Sequence, residues 1–148
     1  MKILIFLVFF AICGSALFAQ TTTGRDMING MERPIPENAW GGDYVSRDGI
    51  RIYALDVVGP PRMQRQWFVQ YGRTVAYVHN ISYGSARAAE QAAAELVNGF
   101  TREFGNPTRR GTELIWVTSD WSYKITLKTS LNEQNTFNSV NVEIQRFL

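Results

Sequence analysis

One histidine, His79, and three carboxylates, Asp56, Glu113 and Asp120, are the side chains with most to offer a reaction. A general base needs an orienting partner and a substrate pocket, and no Ser, Asp or Glu stands near His79 at a spacing that supplies the partner. His79 shares one face of an alternating run with Val75, Tyr77 and Ile81. It therefore reads as a buried structural residue with its hydrogen bonds satisfied. The three carboxylates are far apart in the chain, so a pair of the kind that cleaves glycosides would have to be assembled by the fold. Asp120 has a simpler explanation as a turn residue within Thr118-Ser119-Asp120-Trp121-Ser122.

Metal and phosphate chemistry find even less support. Asp43, Asp48 and Asp56 are irregularly spaced and fit neither a calcium loop nor a zinc-binding H-E-x-x-H helix. Gly41-Gly42 and Gly59 do not lead into a helix whose first amide groups could hold phosphate. No metal and no cofactor is expected.

The local stretch most suited to recognition is VGPPRMQRQW, Val58 to Trp67. Prolines interrupt a strand ladder and start a turn, which is the structural reading of Pro60 and Pro61. The functional reading is a rigid hairpin tip whose Arg62, Met63, Arg65 and Trp67 contact a partner, since arginines and aromatic residues are enriched at interfaces. These four are the expected binding residues.

The elements that must carry these groups are visible as periodicities. In SARAAEQAAAELVNGFTREFGNP the apolar residues Ala86, Ala89, Ala92, Ala93, Leu96, Val97, Phe100 and Phe104 fall on one side of a helix. Ser85 caps its start and Gly105, followed by Pro107, ends it. Glu103 is the one charge on the apolar side. Elsewhere the chain alternates with period two, most cleanly over Tyr123 to Lys128 and Val140 to Gln145. Further strands are expected at Ile50 to Val57, Gln66 to Tyr71, Thr74 to Ile81 and Leu114 to Thr118. One wet and one apolar face is the antiparallel pattern. The expected fold class is α+β: a mostly antiparallel sheet of five to six strands in the order βββ-α-βββ, with the long helix packed on one face. Lys124, Thr126, Lys128, Asn141, Glu143 and Gln145 would occupy the wet face. The two halves share no motif that would mark a repeat.

Residues 1 to 19 place Lys2 before an apolar run, Ile3 to Ile12, and then small residues up to Ala19. That is the layout of a secretory signal peptide, too short in its apolar part to span a bilayer comfortably. Cleavage is expected after Ala19, with Ala16 as the second choice. Cys13, the single cysteine, lies inside the leader, and the bulky Ile12 before it disfavours a lipid-modified cysteine. Residues 20 to 48, rich in Gly, Pro, Asn and Thr, read as an irregular arm or tether, with Trp40 and Tyr44 drawing its second half onto the single domain at 49 to 148.

The charge balance, 15 Lys and Arg against 13 Asp and Glu, argues against nucleic acid or an anionic membrane as the main partner, either of which would call for a basic patch or stripe. The expectation is an exported, periplasmic or secreted binding module without catalytic activity, its partner another envelope or extracellular protein. A carboxylate-dependent hydrolase or carbohydrate-active enzyme is one alternative, and an inhibitor of a secreted enzyme is another.

Overall fold

The structure, a computed structural model, describes residues 23–58, 61–131 and 137–147. The expected leader and most of the polar stretch 132–138 lie outside them. The chain runs α1 (Gly24–Glu32), β1 (Trp40–Val45), β2 (Arg51–Val57), β3 (Arg62–Gln70), β4 (Arg73–Ser82), α2 (Ala86–Phe104), β5 (Thr108–Arg110), β6 (Glu113–Val117), β7 (Tyr123–Leu131) and β8 (Phe137–Arg146).

α2 forms where capping and periodicity place it. Ser85 Oγ accepts from the amide of Ala88 at 3.2 Å, Gly105 ends the helix at φ +86°, and Ala89, Leu96 and Phe100 are buried. The six expected strands are present too. The expected order βββ-α-βββ is not. The sheet has eight antiparallel strands, β1-β2-β3-β4-β8-β7-β6-β5, and a second helix precedes them. The element order is α-ββββ twice over, so the two halves repeat in arrangement although not in motif.

The segment expected to be an irregular arm supplies both α1 and β1. α1 starts with a reciprocal capping box: the Asp26 amide donates to Thr23 Oγ1 and the Thr23 amide donates to Asp26 Oδ2, each at 3.1 Å. Its face of Met27, Ile28 and Met31 is buried. Glu103, anomalous on the apolar side of α2, accepts from the amide of Arg25 at 2.9 Å, and so satisfies one of the free amides at the start of α1. The helices come close here, since a Cβ on Gly24 would stand 2.3 Å from Phe104 Cε2.

Both helices cover the same face of the sheet. The spine of the core is a row of directly opposed residues, Trp67, Tyr77, Ile144, Ile125 and Trp116, crossing β3, β4, β8, β7 and β6. All are at most 2% exposed. Phe100 of α2 meets the Trp116 ring edge to face at 5.3 Å. The apolar run Ile115-Trp116-Val117 suggests a central strand or a strand under a second covering element, and the strand order excludes the first. β6 is next to the edge, flanked by the three-residue β5.

β1 depends on two glycines. Gly41 has φ +98°, and a Cβ there would lie 2.6 Å from the carbonyl oxygen of Ile52, a backbone atom that cannot turn aside. Gly41→Ala is expected to destabilise the fold by about 1 to 3 kcal/mol and to loosen β1 from β2. Denaturant unfolding, with amide exchange read at residues 51–57, measures both. An unchanged midpoint and unchanged protection would refute the assignment of strain to Gly41.

Candidate functional site

The face of the sheet away from the helices is built by the other half of each alternation. Its rows are Ala54, Gln66, Val78, Glu143 and Thr126, then Asp56, Gln64, Asn80, Asn141 and Lys128, then Arg62, Ser82 and Ser139. All six residues expected on the wet face are on it. It is more filled than that expectation: Val78 sits between Gln66 and Glu143 and is 6% exposed, and Thr126, opposite Glu143, is buried as well.

The polar side chains on this face bond to one another across five strands. The Trp40 indole N–H donates to Asp56 Oδ2 at 3.2 Å, and Gln64 Nε2 donates to Asp56 Oδ1 at 2.8 Å. Gln66 Nε2 donates to Gln64 Oε1 at 2.9 Å, Asn80 Nδ2 to Gln66 Oε1 at 3.5 Å, and Asn141 Nδ2 to Asn80 Oδ1. The links run head to tail toward Asp56, whose carboxylate is the terminal acceptor with both oxygens engaged. Each of the four amides uses one donor in the chain, and among the described residues no partner takes its second.

Two adjoining depressions follow these rows, of about 430 Å³ around Asp56, Arg62 and Gln64 and about 470 Å³ around Lys128, Asn141 and Glu143. They share Asn80 and Ser82, which makes one trough across β2 to β7. Lys128 is held by Glu113 at 2.6 Å, and that hydrogen bond lowers the Glu113 pKa and raises that of Lys128.

The four residues expected to bind together are divided by the strand. β3 begins at Arg62, so Met63, Arg65 and Trp67 belong to a strand and not to a hairpin tip. Arg62 faces the trough. Met63, Arg65 and Trp67 carry the opposite parity; Met63, at the start of the strand, still lines the same depression as Arg62, whereas Trp67 is 2% exposed in the core on the helix side. Of the connection before β3, residues 59–60 lie outside the described ones.

His79 is buried as expected, but not satisfied. It lies directly opposite Arg65 and Val142, with its ring edge to face on Tyr77 at 4.7 Å. Among the described residues, His79 Nε2, Arg65 Nε and Trp67 Nε1 are buried with no hydrogen-bond partner. Burial, reinforced by the Arg65 cation, lowers the His79 pKa to about 3. Burial also raises the Tyr77 pKa, against the smaller pull of Arg65.

The carboxylates do not come together. Asp56 on β2 and Glu113 on β6 have four strands between them, about 24 Å at the usual spacing. Asp120 accepts from Thr118 Oγ1 at 2.7 Å and from the Ser122 amide at 3.1 Å. It is the turn residue its sequence context implies, and those bonds lower its pKa. Among the described residues no group of three His, Cys, Asp or Glu is placed to hold a metal ion, and no helix is long and apolar enough to cross a membrane. Comparison with family descriptions, curated proteins and solved structures gave no match for this chain.

The environment of His79 sets a pH dependence. Above pH 6.5 folded and unfolded chains both carry a neutral imidazole. Below it the unfolded imidazole takes a proton that the folded one refuses until about pH 3. Stability should therefore fall as pH drops through this window, by up to about 1.4 kcal/mol per pH unit from this residue. Urea unfolding of wild type and His79→Phe between pH 7 and pH 4.5 isolates the contribution, because the variant loses this slope. Parallel pH profiles would show that His79 takes a proton in the folded state as readily as in the unfolded one.

Proposed function

We propose that this protein is an exported, non-catalytic interaction module whose partner, an envelope or extracellular protein, docks in the trough on the open face of the sheet. The observation that carries this reading is the hydrogen-bonded chain from Trp40 to Asn141. It fixes long polar side chains before any partner arrives, so docking immobilises fewer rotamers. It also leaves each amide a second donor, and such donors gain affinity only against a surface that pairs them. Export rests on the leader-like residues 1 to 19. The carboxylate-enzyme alternative is less favoured, because Asp56, Glu113 and Asp120 are each engaged where they stand. An inhibitor of a secreted enzyme is the same reading with an enzyme as partner.

A photo-crosslinking residue at position 80 or 141, in the chain expressed in its own host, should yield one adduct of fixed mass. The same probe at Gln91, exposed on α2, should yield none. Asn80→Arg should weaken capture of that partner by roughly tenfold or more, as a charge buried without a counterpart does, while leaving the unfolding midpoint near that of wild type. Adducts from Gln91 and none from the open face would reject the trough. The identity of the adduct separates an enzyme target from another partner.

Export has its own readout. The mature protein recovered from the host should begin at Gln20. Folded protein that retains Met1 would remove export from the reading.

A further inference from the structure

At the end of the strands remote from the trough, the antiparallel order brings together the β3–β4 turn at Tyr71 and Gly72, the β6–β7 turn at Thr118–Ser122 and the end of β8. Three aromatic residues stand out from this rim: Tyr71 is 96% exposed, Trp121 71% and Phe147 44%. The two turns lie three strand spacings apart, about 14 Å. The choice of residues runs against folding physics. Tyr71 and Trp121 have φ of 50° and 58°, the left-handed region where glycine or asparagine costs least. A bulky ring that is held in a costly backbone state and contributes little to the core is better explained by what it meets outside.

Beside these rings is a depression of about 390 Å³ lined by Arg33, Arg73 and Arg146, with Glu32 among its walls. Glu32 is already taken: Arg146 Nη2 and the Tyr123 hydroxyl both donate to it. Arg33 and Arg73 are exposed, and among the described residues neither has a carboxylate within salt-bridge reach. Arg73 follows Tyr71 by two residues and Arg146 directly precedes Phe147, so cations and rings alternate along one edge.

We propose that this rim is a peripheral membrane-binding edge, inserting Tyr71, Trp121 and Phe147 into the interfacial layer while Arg33 and Arg73 hold anionic lipid headgroups. Tyr71 and Trp121 sit on turns and Phe147 at the end of β8, all three exposed rather than lining a concavity, which suits a deformable acceptor. Tyrosine and tryptophan settle at the headgroup boundary because one part of the ring system is apolar and another is wet. Three rings and two free cations give reversible attachment, not insertion.

The test is co-sedimentation of the mature chain with vesicles of phosphatidylcholine alone and of phosphatidylcholine mixed with phosphatidylglycerol. The mixed vesicles should bind more tightly, with a blue shift of tryptophan emission and weakening at high salt. Tyr71→Asn with Trp121→Asn keeps the left-handed turns and should lower partitioning by roughly tenfold or more. Arg33→Gln and Arg73→Gln should each cost about fivefold on mixed vesicles and little on neutral ones. Equal binding to both vesicles, no binding to either, or double-asparagine protein that binds like wild type would overturn the proposal. A protein adduct from a crosslinker at position 71, without vesicle binding, would reassign the rim to a protein partner. The trough is not involved in any of these measurements, so the two proposals stand or fall separately.

Discussion

The pairing of β4 with β8 is the constraint on which the rest of the molecule depends. Seven residue pairs, from Ala76 opposite Gln145 to Ser82 opposite Ser139, join the inner strand of one α-ββββ unit to the inner strand of the other. Without that ladder each half is a four-stranded meander with one helix and half a core. With it, Tyr77 and Ile144 are placed side by side and the buried row from Trp67 to Trp116 becomes continuous. The same register places Asn80 opposite Asn141, which carries the amide chain on the other face across the joint. One set of backbone bonds thus completes the apolar interior and the polar surface together.

The helices sit where they do because the joint gives them a surface wide enough. α2 lies chiefly over β8 and reaches β6, while α1 lies over β4. They meet at Gly24, where the absence of a side chain lets the Phe104 ring close in. At the other end of α1, Glu32 receives Arg146 and Tyr123, which ties the helix to the far unit as well as its own. Side chains from residues 32 and 146 thereby close the circuit between the two ends of the described chain.

How much of this the amino-acid sequence discloses depends on how strongly each element is patterned. α2 has a cap at each end and five turns of periodicity between, so its bounds are read directly. The six inner strands alternate cleanly enough to find. The two missed strands are the edges, and edges are weakly marked for a reason: β5 is short and exposed throughout, a form that resists unwanted pairing, and β1 is interrupted by two glycines. α1 is nine residues long with glycine at its first and seventh positions, which hides a face of only Met27, Ile28 and Met31. The Thr23-x-x-Asp26 capping box was the available signal. The division of Arg62 from Met63, Arg65 and Trp67 was legible as alternation once β3 is extended back to Arg62, but two prolines suggest a loop there. The arginine cluster of residues 33, 73 and 146 comes from three distant parts of the chain, and only the fold unites it.

The route from β4 to the far edge of the second unit passes through Tyr83 and Gly84 into α2. If the chain straightens at this point, the two units part and the whole length of β4 becomes an open border. The strand that fits it in register is β8, and β8 of a neighbouring molecule fits as well as its own. Reciprocal exchange of halves between two chains would rebuild every contact of the single chain twice, changing only the conformation of that short hinge. In the doubled arrangement, an intertwined dimer would need a change only in the backbone of residues 83–85.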